Sequence, residues 1–265
     1  MQAKDAARNA RKERFGSDII KAMEELFMHG MKKDATMMFN VSFAGEKNEQ
    51  RCIGFASPSL LKLLSNDGLW GNLDATFCAP IGFYQVLIFG IMDKATGMFI
   101  PIFYVLMTSK DEEMYDCVLG NIVRCVVGSA GGTIDLKGCM NDFELAMIKS
   151  ARRWFNPKIH GGCFFHSKKA IRGKMKKTYG FSDEFVKAWV WRFDFLTVIE
   201  PEKMRAGVEY ILSQMQAAYK KKEVTKSEKE LFDEFLDDYF IKFWLRAPIK
   251  SLYNYRTDGR DLDEM

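Results

Sequence analysis

Two nearly unbroken apolar runs, Phe83 to Ile91 and Met98 to Met107, are separated only by a short segment that includes Asp93 to Gly97, and this pair constrains the chain more than any other feature. A connector that short cannot hold the crossover that parallel strands need, so the runs form an antiparallel pair. Their lack of polar alternation predicts strands covered on both faces, and hence a sheet lying between layers of helix. Pro101 has no amide to donate and predicts an edge position or a bulge. A third strand-like run, Leu73 to Phe77, precedes them across Ala79-Pro80-Ile81-Gly82 and brings the antiparallel set to three.

The chain then changes pattern. Ser109 and Glu112 have capping-box spacing ahead of a helix through Tyr115, Val118, Leu119 and Ile122. A turn at Gly131-Gly132 leads to a short strand, Thr133 to Leu136; a helix follows from Phe143 to about Phe155, stopped by Asn156-Pro157, and then a strand from Ile159 to Phe165. Three antiparallel strands followed by helix, strand, helix, strand is the order of an α/β mixed sheet with flanking helices. Right-handed crossovers would return the later strands beside the first, which is the outline of a ribonuclease H-like fold.

Around this core, residues 1–16 read as a charged arm, and Ser17 as the cap of a helix through Ile19, Ile20, Met23 and Leu26. Residues 37–43 and 51–55 read as a hairpin, and Ser57-Pro58 opens a helix through Leu60, Leu61 and Leu64. After Lys168 the chain is mostly helical, and its strongest segment is capped by Thr225 through Glu228 and continues along an apolar stripe to Trp244. The domain reading is a lead-in over 1–68, a core over 69–180, a helical region over 181–247 and a tail over 248–265.

Composition sets limits on function. With 48% hydrophobic and 14% aromatic residues the chain can build one substantial core. No apolar run approaches the roughly 20 residues of a membrane span, and the basic start lacks the apolar stretch of a signal peptide, so the expectation is a soluble intracellular protein, nuclear if eukaryotic. Six cysteines scattered through apolar segments fit a compartment where thiols stay reduced. A net charge of +4 is mild, so any argument for nucleic acid rests on local clusters. The densest in the core is Lys168, Lys169, Arg172, Lys174, Lys176 and Lys177, which a helix would gather on one broad face, either to contact phosphates or simply to meet water.

Asp74 interrupts an apolar strand, where aspartate is disfavoured. One reading is a solvated position on an edge strand. The other pairs it with Asp142, which follows the fourth run, since two carboxylates so placed would repel unless a cation stood between them. Asp142 also precedes a helix and has the alternative of an N-cap, and Glu144 either reaches the same site or favours the positive end of that helix. Oxygen donors of this kind hold Mg²⁺ or Mn²⁺, and a two-metal site clamps the attacking and leaving oxygens of a phosphodiester displacement. Cys163 and His166 form a single Cys-x-x-His, which lacks the second ligand pair of a structural zinc site, so no zinc is expected. His166 stands where it can orient a ligand or a scissile phosphate, whereas His160 and His29 give no comparable signal.

In series, these stretches resemble the Mutator-like element transposase domain of the ribonuclease H-like DDE superfamily. LDATFCAPIGFYQVLIFGI (73–91) looks like its first-aspartate block, and PIFYVLMTSKDEEMYDCVL (101–119) is similar to its Pro-strand-Lys-x-Glu-x-x-Tyr block. Residues 141–177 match an Asp-Phe-Glu-x-Ala block, then Gly-Cys-x-Phe-His and a basic helix, and the similarity extends over 55 to about 255. The resemblance implies a metal-dependent DNA transposase with two aspartates, carried over to Asp74 and Asp142, and a glutamate. The third acid is read as Glu264 or Asp263, or as a residue beyond Met265. The resemblance also implies DNA ends as partners and a homo-oligomer on DNA. The family's upstream zinc module has no counterpart in 1–45, which holds no cysteine and only His29. Two functions stand side by side at this point: a transposase catalytic domain, whole or degenerate, and a non-catalytic, domesticated DNA-associated or interaction protein that keeps the fold as a scaffold.

Overall fold

The computed structural model describes residues 36–45, 48–77, 79–93, 95–196, 199–200 and 202–245. The arm, the Ser17 helix, His29, Cys78 and the tail with Asp263 and Glu264 lie outside them. The strands are β1 (Thr36–Ala44), β2 (Glu49–Ala56), β3 (Leu69–Thr76), β4 (Gln85–Met92), β5 (Phe99–Met107), β6 (Leu136–Asn141) and β7 (Ile159–Gly162). The α-helices are α1 (Pro58–Leu61), α2 (Glu112–Ala130), α3 (Leu145–Trp154), α4 (Phe164–Lys177), α5 (Asp183–Leu196), α6 (Met204–Lys220) and α7 (Lys226–Glu234). The fold is α/β with a seven-stranded mixed sheet in the order β1-β2-β5-β4-β3-β6-β7. The chain divides into two compact units, one running to Lys137 and including Lys149–Asn156, the other made of Gly138–Ile148 and the residues from Pro157 onward.

In the first unit every strand pair is antiparallel, as the short connectors require. The register of β4 against β5 shifts between Phe89 and Gly90, with Pro101 opposite Gly90, so the proline marks a bulge in an inner strand. Pairing with β2 stops at Ala56 opposite Phe103, and on that side Pro101 has no ladder partner to disappoint. The bulge also explains the glycine: a Cβ on Gly90 would lie 2.3 Å from the Ile100 carbonyl oxygen.

The expectation that both faces of β4 and β5 are covered needs correction. Leu73, Phe89, Phe103 and Ala56 form one cross-strand row and are all buried. The adjacent row, Asp74, Ile88, Tyr104 and Phe55, points to the other face and is half-buried or exposed, with Tyr104 45% exposed. Helix α2 lies over the sealed face: Gln85 Nε2 donates to the Tyr115 hydroxyl at 2.8 Å, and Phe155, just past α3, stacks on Phe89 at 4.9 Å. The cap of α2 is also not the expected Ser109. Asp111 accepts from the Met114 amide at 2.9 Å, while Ser109 Oγ donates to Gln50 Oε1. The aspartate is nearer the first turn and accepts more strongly than a hydroxyl, so it takes the capping role.

In the second unit β6 runs later than Thr133–Leu136, because Gly138 to Asn141 are the residues that bury themselves and pair parallel to β7. Strand β7 ends at Gly162, not Phe165, and Cys163 takes the N-cap position of α4. The Phe143 ring occupies the space over Gly162, where a Cβ would meet it at 2.3 Å. Helices α4 to α7 enclose an aromatic core in which Phe193 and Phe235 meet edge-on at 5.2 Å and Phe181 stacks on Phe185 at 4.5 Å. The Thr225–Glu228 capping box is present in full. The stripe beyond it is not one α-helix, however, since Phe235–Trp244 is π-helical. Phe235 and Phe240 are both wholly buried and five residues apart, and a π turn brings that spacing onto one face.

Phe232 is fully buried against Phe185, Trp189 and Phe193. Phe232→Ala is expected to lower the unfolding free energy by about 3 to 5 kcal/mol, and Thr225→Ala by about 1 kcal/mol. Urea unfolding of each variant checks both, and equal losses would show that the aromatic core is not the main store of stability in the second unit.

Candidate functional site

Asp74 owes its position to strand parity. Its neighbour Leu73 belongs to the sealed row, so Asp74 must face the open side, where its carboxylate is exposed and Oδ1 accepts from the Ala75 amide at 2.9 Å. Beside it across the strands stand Ile88 and then Tyr104. A strand that tolerates an aspartate here does so because the position is wet.

Asp142 follows the last residue of β6, in the second unit. It is half-buried, and Oδ1 accepts from the Phe143 amide at 2.6 Å. It is not the N-cap of α3: that helix begins at Leu145, and the carbonyl of Glu144 accepts its first bond, from the Ile148 amide at 2.9 Å. Glu144 therefore sits at the cap position, with its own carboxylate half-buried.

The residue before Asp142 was overlooked in the sequence. Asn141 is wholly buried, its Nδ2 donates to the Asp142 carbonyl at 2.7 Å, and its Oδ1 accepts from His160 Nε2 on β7. Both side chains thereby fix the backbone from which Asp142 projects. The only signal in the sequence was an amide at the end of an apolar strand, which reads equally well as a turn residue.

Strands β6 and β7 are parallel, with Asn141 opposite Gly162, and the Cys163 amide donates to the Asn141 carbonyl at 2.9 Å. Asp142 and Cys163 are thus the residues that leave this pair at its carboxyl end, where open α/β sheets place their ligand-binding loops. Cys163 caps α4, and His166 lies in its first turn. Burial acts to raise the Cys163 thiol pKa, but hydrogen bonding and positive charge from His166, with the amides of the helix start, outweigh it and bring it below the ordinary value.

The basic cluster does lie on one helix, α4. Two of its members, both half-buried, are engaged by neighbouring side chains: Lys168 Nζ sits over the Phe164 ring at 5.0 Å and 3.7 Å from Asp194 Oδ2, and Lys174 Nζ lies over the Tyr239 ring at 5.4 Å. Lys176 pairs with Asp183. Lys169, Arg172 and Lys177 are exposed. Asp194 on α5 is only 8% exposed and was not singled out in the sequence, although an aspartate within Trp191-Arg192-Phe193-Asp194-Phe195 was a visible break in an apolar helix.

Carboxylate oxygens are the donors Mg²⁺ and Mn²⁺ take, so Asp74 and Asp142 suit such an ion chemically. Among the described residues no group of three or more His, Cys, Asp or Glu side chains is gathered to hold a metal, and the third-acid candidates Asp263 and Glu264 lie outside them. No helix among the described residues is long and apolar enough to cross a membrane.

Burial raises the Asp194 carboxyl pKa above its ordinary value, with Lys168 and Arg172 pulling the other way. The folded protein therefore keeps this proton to higher pH than the unfolded chain, and the stability of the neutral acid is complete below the unfolded value and is lost as pH rises through the folded one. Asp194→Asn is expected to shrink the fall in unfolding free energy between acid and neutral pH, measured by urea titration, and an unchanged pH profile would remove Asp194 as its source. Among known proteins, no family model matches the chain and no curated protein matches it.

Proposed function

We propose that this chain is the catalytic core of a Mutator-like DNA transposase with a ribonuclease H-like fold, in which Asp74 and Asp142 hold divalent cations for phosphodiester cleavage and strand transfer. The observation that carries this reading is the placing of the two aspartates, each beyond the sealed part of its own unit: Asp74 on the open face of β3 and Asp142 at the carboxyl end of the β6–β7 pair. Three antiparallel strands followed by helix, strand, helix and a parallel strand support the fold assignment.

When bound, Mg²⁺ or Mn²⁺ would supply charge neutralisation at the scissile phosphate and acidify the attacking hydroxyl or water. The chain's own part is positioning. Asn141 and His160 fix the backbone of Asp142. His166, in the first turn of α4, can donate to a phosphate oxygen, and Lys169, Arg172 and Lys177 offer exposed charge to the DNA backbone.

A second reading keeps the fold as a non-catalytic DNA-associated or interaction scaffold. It is favoured by the contacts of Lys168 with Asp194 and the Phe164 ring and of Lys174 with the Tyr239 ring, which engage two cations of the α4 cluster within the protein.

Mn²⁺ calorimetry at near-neutral pH separates the two. Binding by the intact chain that Asp74→Ala and Asp142→Ala each abolish, with unchanged melting temperatures, is the expected outcome; three identical titrations would leave the scaffold reading. For DNA, the combined Lys169→Ala, Arg172→Ala and Lys177→Ala variant is expected to reduce the slope of log affinity against log salt by about 0.9 for each phosphate that is no longer neutralised. An unchanged slope would place the DNA-binding charge elsewhere than α4.

A further inference from the structure

The sealed face of the first unit holds a pair of thiols that the transposase reading does not use. Cys52 lies on β2 and Cys117 on α2, and their sulfurs are 3.7 Å apart although the residues are 65 apart in sequence. Cys52 is wholly buried, whereas Cys117 is half-buried. Asn121, one turn on, donates through Nδ2 to the Cys117 carbonyl at 2.7 Å and to its sulfur at 3.6 Å.

We propose that Cys52 and Cys117 form a peroxide-responsive dithiol, in which Cys117 is oxidised first and Cys52 resolves it to a disulfide that ties α2 to β2. The two sulfurs differ in the way such a pair requires. Hydrogen bonding with the Cys52 thiol, aided by the charge of Arg124 and by Asn121, outweighs burial and holds the Cys117 thiol pKa below its ordinary value, which favours its thiolate. The same neighbour and the same burial push the Cys52 thiol far up, which keeps it protonated until the second step.

The Cys117 thiolate attacks one oxygen of hydrogen peroxide and the O–O bond breaks, giving a Cys117 sulfenic acid and a hydroxide that takes up a proton to become water. Cys52 then gives up its proton and attacks the Cys117 sulfur, expelling the sulfenic oxygen as a second water. The two thiols lose two electrons, and the peroxide is reduced to two waters. Closing the bond brings the sulfurs from 3.7 Å to about 2.05 Å. The other described cysteines offer no such pair. Cys139 is wholly buried with its thiol pushed up to about 12, Cys125 is raised by burial, and Cys163 has His166 beside it instead of a second thiol.

The test treats the reduced full chain with hydrogen peroxide and maps it by peptide mass spectrometry, with a sulfenic-acid trap present in parallel. The expected result is a peptide linked between Cys52 and Cys117, reversed by dithiothreitol, with the urea midpoint of the oxidised chain shifted upward because the link closes a long loop. In Cys52→Ser, which keeps a hydrogen-bonding group beside Cys117 but cannot resolve it, the trap should label Cys117 and no link should form; in Cys117→Ser neither should appear at this pair. Should the intact chain give no linked peptide while Cys117 stays open to alkylation, or should Cys117 be trapped equally with and without Cys52, the proposal is overturned. Melting curves of both variants confirm that the comparison is made between folded proteins.

Discussion

The alternation of side chains along β3, β4 and β5 governs the first unit. Successive residues of a strand face opposite sides, so once Leu73, Phe89 and Phe103 enter the core under α2, every even-numbered position of β3 is committed to the other face. Asp74 faces away from the core for that reason, and it is exposed where Trp70, on the same side of the strand nearer its start, is buried. Shifting β3 by one residue against β4 would drive the carboxylate into an apolar interior with no cation to meet it. The register is therefore guarded by the full cost of burying an unpaired charge.

The second unit relies on a different device. Its parallel pair β6–β7 is short, and Asp142 and Cys163 emerge together because Asn141 and Gly162 are opposite each other in the ladder. What holds that edge is packing from behind: Phe143 lies over Gly162 and meets Trp244 edge-on at 4.8 Å. The aromatic core thus reaches the residue next to Asp142, and the geometry of the candidate site is set by rings contributed from a helix a hundred residues further along the chain.

The strands of the first unit were legible because their apolar runs and short connectors leave one arrangement open, and the Thr225 cap was legible because its partner Glu228 sits at the fixed spacing. What escaped is instructive in physical terms. Apolar composition in β4 and β5 does not distinguish a covered face from a half-open one, since Ile88 and Tyr104 read the same in either setting. Ser109 and Asp111 compete for one cap; the aspartate adjoins the first turn and takes it, while the Gln50 side chain, arriving from β2, bonds to both. The end of β7 depended on Cys163 turning into a helix, which the run Cys163-Phe164-Phe165 conceals because aromatic residues suit a strand as well. Asn141 and Asp194 were missed for a common reason. A buried polar residue is recognisable only from its partners, His160 in one case and Lys168 in the other, and these come from other elements.

The π-helical stretch Phe235–Trp244 has a further implication, for change in length. An α-helix places residues four apart on one face, whereas this run has the longer step and brings Phe235 and Phe240 together with four residues between them. Removing one residue between them would leave the rings four apart, a spacing that the α form again puts on one face, so the helix can absorb that loss by relaxing. An inserted residue has no such outlet, because the run already has the wider turn. This segment should therefore tolerate the loss of one residue better than the gain of one, so that length here is open in one direction and closed in the other.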